Sequence, residues 1–443
     1  MSLTRRRALA SLGVSALGAG ALAACTPIGR RGRSTTPPPT ASDRTAPTSP
    51  LVIGSIGSGF GEPGQVETQI RLAVGEAVER INTVDGGLFG QDVELVERIV
   101  LEEPGDDPAE QIEALAAQGV QVLVSSLEDA QLIAALPTIV ARGMAVLCPW
   151  SSSKAVREQA EASGLLFRLV PPDEAIAAAH VEAALTSPPK GTTPGTVFYV
   201  APDTTAGRSL RAELELQLNP AGGTLLEPVL YPPGEPLAVA DIAARVLAAP
   251  PALLILQGGP ECGPLASAVH EGTKDASGRS QVSIRTRMGP AASVDYSRAS
   301  LPAESLSDAE GTVPGALLST GDFADIMLNL DTTLVSEGFA FGQQAYDAVV
   351  IACLAAQRAL SIVGSEIAAE VPAVLTGSSA CEAYYDCRQL LSEGSDVAYS
   401  GMSGQLELDS VGDLRSGELR RITWDETGAR VIGDSTTRFT RPG

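Results

Sequence analysis

Short apolar strand segments alternate with amphipathic helix patterns through most of this chain, in two separate series. The first series contains strand-like runs at Leu51–Ile56, Val120–Val124 and Met144–Leu147. The second begins after Pro171-Pro172 and contains similar runs within 196–200 and 252–256. Strands that are separated by helices of about 10–15 residues form parallel βαβ units. The alternation therefore predicts an α/β fold with two doubly wound lobes.

The first 25 residues have the pattern of a lipoprotein export signal. A basic segment, Thr4–Arg7, precedes an uncharged run, Ala8–Ala24, which ends at Leu22-Ala23-Ala24-Cys25. Lipoprotein signal peptidase accepts small residues before a cysteine, so we expect cleavage after residue 24 and a diacylglycerol group on Cys25. The T-R-R-x-x-L pattern also resembles a twin-arginine signal. A transmembrane anchor is the alternative, although the run is short for one.

Residues 25–50 are predicted to be a linker, and the chain as a whole is strongly acidic. Proline, threonine, serine and glycine fill 17 of the 25 positions from 26 to 50, so burial cannot offset the entropy of ordering this segment.

The chain has 53 acidic and 31 basic residues, a net charge of −22. Such a chain is repelled by phosphate backbones, which argues against nucleic-acid binding.

Few residues have the spacing that catalysis or metal binding requires. The two histidines, His180 and His270, are far apart in sequence, which disfavours a histidine-based metal site. Gly59–Gly64 spells GxGxxG after a strand, but Pro63 removes a backbone N–H and Glu62 adds a negative charge where a dinucleotide needs free N–H groups. We expect no metal, no cofactor and no enzymatic activity, although acids are numerous enough that an acid-based enzyme stays an alternative.

Several short motifs follow one another in a fixed order through the rest of the chain. They are Asn82–Gly90, Asp107-Pro108-Ala109, Gly143–Pro149, Phe167–Asp173, Ala206-Gly207-Arg208, Met288-Gly289-Pro290, Tyr346-Asp347-Ala348 and Gly404–Asp409. In order and spacing they resemble the motifs of type I periplasmic solute-binding proteins, in the branched-chain amino-acid-binding class to which leucine-binding proteins belong. The resemblance covers about residues 51–430.

This resemblance implies two Rossmann-like lobes joined by three crossings, with a solute bound between them. Lobe one would contain 51–172 and 318–408, and lobe two would contain 173–317 and 409–443. Such proteins close on a solute by hinge motion and deliver it to an ABC permease. The implied protein is a monomeric lipoprotein on the outer face of the cytoplasmic membrane. A sensor or structural lipoprotein that kept the fold without transport is the alternative.

The positions that hold an amino acid in this class differ in this chain. A carboxylate-binding serine of the class falls on Asp129, whose charge would repel a carboxylate. A tyrosine and an acid that hold the ammonium group fall on Ala206 and Ala291. These departures predict a small polar solute that is cationic or hydroxyl-bearing, and not a standard branched-chain amino acid. The alternative for Asp129 is a helix N-cap that faces solvent.

The loops after the strands supply the remaining candidate contacts with the solute. Ser58 and Phe60 lie where the class makes its first ligand contact, and Trp150 suits stacking on a sugar, base or cation. For Trp150 the alternative is packing beneath its loop. The full set of candidate ligand-binding residues is Ser58, Phe60, Asp129, Trp150, Ser151, Ser152 and Gln257.

Five cysteines lie beyond the export signal. Cys381 and Cys387 are six positions apart in a polar segment, which in an exported protein predicts a disulfide. Cys148 and Cys353 occur in apolar runs that are typical of buried thiols, although they could pair with each other or with Cys262. At least one of the five stays unpaired within the chain.

Overall fold

A computed structural model describes residues 45–317 and 323–441 of the chain. The expected signal peptide, residues 1–24, and Cys25 lie outside the described residues, as does most of the expected linker. Among the described residues no single helix is long and apolar enough to cross a membrane. Two consecutive helices, Gly342–Ala359 and Gly364–Glu370, are long and apolar enough only when they are taken together, and the angle between them is 97°.

The first series of strands forms a parallel sheet that is buried on both faces. The strands are β1 (Val52–Ser58), β2 (Glu94–Leu95), β3 (Ile99–Leu101), β4 (Val122–Ser126), β5 (Ala145–Cys148) and β6 (Leu166–Arg168). Their order is β2-β1-β4-β5-β6, with β3 beside β1. The sequence pattern over Val93–Ile99, which reads as one strand, is thus divided between two short strands. β4 and β5 are buried along their whole length, as strands covered by helices on both faces must be.

Helices lie between these strands, and two of the helices begin with a side-chain N-cap. They are α1 (Gly61–Gln65), α2 (Glu67–Thr83), α3 (Pro108–Ala117), α4 (Asp129–Arg142) and α5 (Lys154–Ala160). At the start of α3 the Asp107 carboxylate accepts a hydrogen bond of 2.9 Å from the backbone N–H of Ala109, the usual N-cap interaction. Within α1, a Cβ atom on Gly64 would lie 2.5 Å from the carbonyl oxygen of Gly59, so only glycine fits there.

The second series forms a second parallel sheet with its own helices. Its strands are β7 (Thr193–Pro202), β8 (Thr224–Leu225), β9 (Val229–Tyr231), β10 (Pro251–Leu256), β11 (Arg285–Met288) and β12 (Ala309–Pro314), and its helices are α6 (Asp173–Leu185), α7 (Thr205–Leu218), α8 (Val239–Ala248) and α9 (Cys262–Gly272). The order is β12-β11-β10-β7-β8, with β9 beside β7.

After β12 the chain returns to the first sheet. The returning elements are α10 (Phe323–Leu330), α11 (Leu334–Glu337), α12 (Gly342–Ala359), α13 (Gly364–Glu370), β13 (Ser379–Cys381), α14 (Tyr384–Ser392), β14 (Val397–Gly401) and β15 (Gly404–Gln405). α12 packs on α2, β4 and β5 and is buried on nearly every side. The buried carboxylate of Asp347 on α12 accepts hydrogen bonds from the Tyr399 hydroxyl and the Ser403 backbone, both at 2.7 Å, which fixes β14 and the turn after it to the helix.

The last strands complete the second sheet. β16 (Glu407–Leu408), β17 (Leu414–Trp424) and β18 (Arg430–Thr440) join it in antiparallel pairs, with β17 between β12 and β18. The sequence pattern of residues 409–443 predicts only a C-terminal tail of lobe two, so the hairpin of β17 and β18 is a feature that the structure adds. β16 also belongs to the second sheet, although Glu407 and Leu408 were expected in lobe one.

We call the first sheet with its helices lobe one and the second sheet with its helices lobe two. The chain crosses between them after β6, after β12 and after β15. A buried ion pair joins the first crossing to the turn between β16 and β17 in lobe two: Arg168 at the end of β6 donates two hydrogen bonds of 2.6 Å to the carboxylate of Asp413. Arg168 also donates to the carbonyl oxygen of Ser153. We call the Arg168–Asp413 pair the crossing clamp.

Candidate ligand-binding cleft

A cleft lies between the lobes, where the carboxyl ends of their parallel strands face each other. Its walls come from residues that follow β4, β5 and β6 in lobe one and β7, β10 and β11 in lobe two. Ligands of open α/β sheets bind at this end of the strands. Five of the candidates from the sequence line the cleft: Asp129, Trp150, Ser151, Ser152 and Gln257.

Asp129 faces the cleft and not the solvent. The N-cap of α4 is Glu128, whose carboxylate accepts a hydrogen bond of 2.8 Å from the backbone N–H of Ala130. Asp129 is therefore the first residue of the helix, and its side chain is 1% exposed. Neither carboxylate oxygen has a hydrogen-bond partner among the described residues. Burial raises the pKa of Asp129 to about 7 against the lowering effect of the nearby Ser151 hydroxyl, and the charges of Glu128 and Asp173 add smaller raising contributions.

Glu62 on α1 places a second carboxyl group in the same cleft. Burial and the negative charge of Glu261 in lobe two raise the pKa of Glu62 to about 7, and Asp129 adds to the effect. From the sequence, Glu62 is recognisable only as an obstacle to dinucleotide binding and not as a ligand contact. The available signal was its position in the loop that follows β1.

The two candidates in that loop do not line the cleft. The hydroxyl group of Ser58 is fully buried and donates to the side-chain oxygen of Gln131 while it accepts from the backbone N–H of Glu128. Ser58 therefore joins β1 to α4. Phe60 is the residue before α1 and lies outside the lining of the cleft. Because α1 begins at Gly61, Glu62 lines the cleft, whereas Ser58 and Phe60 do not.

Aromatic side chains form one wall of the cleft. Trp150 is partly exposed to the cavity, and its ring contacts Phe341 edge to face with a centroid distance of 4.9 Å. Phe341 precedes α12 with a positive φ of 64°, a backbone conformation that is uncommon for a bulky residue. Both rings line the cleft. Phe341 is not recognisable from the sequence as the neighbour of Trp150, because the two residues lie far apart along the chain.

The hydroxyl groups that follow Trp150 have different environments. Ser152 donates a hydrogen bond of 2.6 Å to Asp173, the first residue of α6. Asp173 is buried, its other carboxylate oxygen has no partner among the described residues, and burial raises its pKa. The buried hydroxyl oxygen of Ser151 also lacks a partner in that set. The cleft thus contains polar groups that a ligand can satisfy.

The wall from lobe two is mainly apolar. The positions that would hold an ammonium group in an amino-acid binder, Ala206 and Ala291, both line the cleft. The side-chain amide of Gln257 packs against Gly289. A Cβ atom on Gly289 would lie 2.2 Å from the side-chain oxygen of Gln257. Other apolar side chains of the cleft are Val170, Ile176, Leu210, Met288, Pro314 and Leu419.

The far end of the cleft contains one histidine and one arginine. Burial and the nearby charge of Arg287 lower the pKa of His180 to about 3, so its ring is neutral. A guanidinium nitrogen of Arg287 lies 3.5 Å from the Nδ1 atom of His180 and donates to the carbonyl oxygen of Ala179 at 2.9 Å. No group of three or more histidine, cysteine or acidic side chains suited to a metal occurs in the described part of the chain.

The cysteines lie outside the cleft lining. Cys381 and Cys387 form a disulfide that joins β13 to α14. Cys148, Cys262 and Cys353 are buried free thiols, so the pairings among them that the sequence left open do not occur in the structure.

A protein-family model described as periplasmic binding protein matches residues 50–272 of this chain. No curated protein matches the chain in sequence. Solved structures match it over most of its length, at low sequence identity. A leucine-binding protein from Thermotoga maritima is 15% identical with a TM-score of 0.63, and the match covers 87% of this chain and 98% of that chain.

Two further solved structures have bound ligands of different chemistry. A solute-binding protein of an ABC transporter from Rhodopseudomonas palustris, in complex with p-hydroxybenzoic acid, is 14% identical with a TM-score of 0.62, covering 89% of this chain and 98% of that chain. An ABC transporter substrate-binding protein from Desulfitobacterium hafniense, in complex with leucine, is 16% identical with a TM-score of 0.59, covering 87% and 100%. These likenesses show the fold.

Proposed function

Because this chain belongs to the periplasmic binding protein family, we propose that it is an extracytoplasmic protein that captures a small solute between its lobes. The observation that supports this most directly is the cleft itself, which residues at the strand ends of both lobes line. A solute in that position contacts both lobes at once, so its binding free energy favours the closed arrangement.

We infer that the solute is not leucine, isoleucine or valine. By the family resemblance, the buried carboxyl group of Asp129 corresponds to the position that holds a ligand carboxylate in amino-acid binders, and like charges in a water-poor cleft are mutually unfavourable. Ala206 and Ala291 offer no partner for an ammonium group at the opposite wall. The structures with p-hydroxybenzoic acid and with leucine indicate that this fold accepts solutes of different chemistry.

The proposed partner is an ABC permease, and the proposed location is the outer face of the cytoplasmic membrane. A diacylated Cys25 would supply two acyl chains, which suffice for stable attachment where one chain is marginal. The variant Cys25→Ala should accumulate as uncleaved precursor or be released in soluble form, as fractionation of cells would show. Normal processing and membrane retention of that variant would contradict the anchor.

Closure on a solute is the decisive test of the function. A thermal-shift screen against sugars, nucleosides, polyamines, amides and amino acids identifies a solute, since a ligand at about 100 times its Kd stabilises the fold by about 2.7 kcal/mol. Small-angle scattering with that solute should then give a smaller radius of gyration than the solute-free protein. A saturating ligand that leaves the radius unchanged would refute closure.

A sensor or structural role is the second candidate, and the loss of polar side chains at Ala206 and Ala291 favours it. It predicts solute binding without uptake. Transport measured in cells with and without the gene distinguishes the two roles, because only the importer role requires uptake to fall when the binding protein is removed.

A further inference from the structure

We propose that the solute of this cleft is an organic cation, a protonated or quaternary amine on an apolar body, whose charged group lies between Asp129 and Glu62. This inference rests on the proposed function and names the class of solute for the same cleft. It places the positive group of the ligand against lobe one, on the side where amino-acid binders hold a carboxylate.

The unpaired carboxyl group of Asp129 is the main observation. A carboxylate that is 1% exposed normally accepts hydrogen bonds or an ion pair, yet neither oxygen of Asp129 has a partner within hydrogen-bonding geometry among the described residues. The neighbouring Ser151 hydroxyl lowers the pKa of Asp129 but supplies no positive charge. The positive group near it is Arg168, whose guanidinium is already bound to Asp413 and to the carbonyl oxygen of Ser153. Asp129 is therefore available to a ligand that enters the cleft.

The surroundings of the two carboxyl groups are negative. Around Asp129 lie Glu128, Asp173, Arg168, the hydroxyl of Ser151 and the thiol of Cys148, and around Glu62 lie Glu261, Glu128, Asp129 itself and the backbone N–H of Gly258. Acids outnumber the single arginine in this set. A cation relieves the mutual repulsion of these groups, whereas a neutral hydroxyl group leaves it in place and an anion increases it.

The rest of the cleft suits the body of such a ligand. Trp150 offers an aromatic surface beside the carboxyl groups, and cations are attracted to the faces of aromatic rings. Apolar side chains, among them Ile176, Leu210, Met288 and Leu419, cover the wall that continues into lobe two. An amine on an aromatic or branched apolar body therefore places its charge at the two carboxyl groups and its body along the apolar wall, short of His180 and Arg287 at the far end.

The test compares probes that share one body and differ in the charged group. Phenethylamine, phenyltrimethylammonium, 2-phenylethanol and phenylacetate are titrated into the variant Trp424→Phe, in which Trp150 is the remaining tryptophan of the chain and reports on the cleft by its fluorescence. Trp424 lies outside the cleft lining, where its indole donates to the carbonyl oxygen of Val294. We expect at least one of the two cations to bind at least tenfold more tightly than 2-phenylethanol, and phenylacetate not to bind.

Variants then locate the charge. Asp129→Asn and Glu62→Gln keep the shape of each side chain and should each weaken the bound cation at least tenfold. The control Glu113→Gln changes an exposed acid on α3 and should leave affinity unchanged. Since phenyltrimethylammonium does not titrate, its affinity should rise about tenfold from pH 6 to pH 8 for each carboxyl group of pKa near 7 that must ionise.

Three results would overturn the proposal: equal or tighter binding of the alcohol, binding of phenylacetate, or binding of neither cation. If the protein then closes on a neutral or anionic solute from the wider screen, the class of solute is wrong and the proposed function stands. If no solute of any class closes the lobes, the proposed function fails with it.

Discussion

Removing one partner of the crossing clamp should destabilise the protein far more than removing one partner of an exposed ion pair. The side chains of Arg168 and Asp413 are 2% and 3% exposed, and two hydrogen bonds of 2.6 Å join them. Asp413→Asn keeps the shape of the side chain but leaves the guanidinium charge of Arg168 without its counter-ion. Loss of one partner of a buried pair costs about 3–5 kcal/mol, and we expect Asp413→Asn to lower the free energy of unfolding by this amount.

Urea unfolding followed by circular dichroism measures the effect. The matched control is Glu113→Gln, which breaks an ion pair whose side chains, Arg142 and Glu113, are 51% and 47% exposed. An exposed pair contributes about 0–1 kcal/mol. The double variant Arg168→Met/Asp413→Leu removes both charges and should recover much of the stability, because no unpaired charge is then buried. The reasoning is refuted if Asp413→Asn costs no more than Glu113→Gln.

Three further predictions concern the cleft and the disulfide. Without solute, Asp129→Asn should become progressively more stable than the wild type as the pH rises from 4 to about 7. The folded-state pKa of Asp129 is raised to about 7, so ionising this carboxyl group in the folded wild type costs up to roughly 4 kcal/mol. Thermal melts across this pH range measure the difference in stability, and a difference that does not change with pH would contradict the prediction. Calorimetry with leucine, isoleucine or valine at about 100 micromolar should show no binding, and a micromolar Kd would mean that the assignment of Asp129, Ala206 or Ala291 is incorrect. Replacing Cys381 and Cys387 by serine should lower the free energy of unfolding by about 2 kcal/mol, since the closed loop is short, while solute affinity stays unchanged.

The strand and helix order could be predicted from sequence because burial on both faces leaves a plain signature. β4, β5 and β10 are continuous apolar runs, which is the pattern of strands in a covered parallel sheet. The β17–β18 hairpin lacks that signature. Its strands contain arginines and threonines, and β18 is an edge strand whose side chains are mostly exposed. The hairpin therefore shows neither the apolar alternation of a half-buried strand nor the apolar spacing of a helix.

The candidate site was predictable only to the level of strand-end loops. The sequence around Asp129 suits a solvent-facing N-cap. In the structure Glu128 is the N-cap residue, and the orientation of α4 directs Asp129 into the cleft. That orientation is set by packing, which the local sequence does not encode. Ser58 and Glu62 show the same limit, because the early start of α1 decides which polar side chain of the loop reaches the cleft.

The position of β17 in lobe two has a consequence for the order in which the molecule can fold. Its pairing partner β12 ends at Pro314, and about a hundred residues of lobe one separate the two strands in sequence. During synthesis β12 is therefore complete long before the strand that covers its edge exists. Unpaired sheet edges invite association with other chains. Until residues 414–424 emerge, that edge of lobe two is without its pairing strand, and a chain that stops short of them should aggregate.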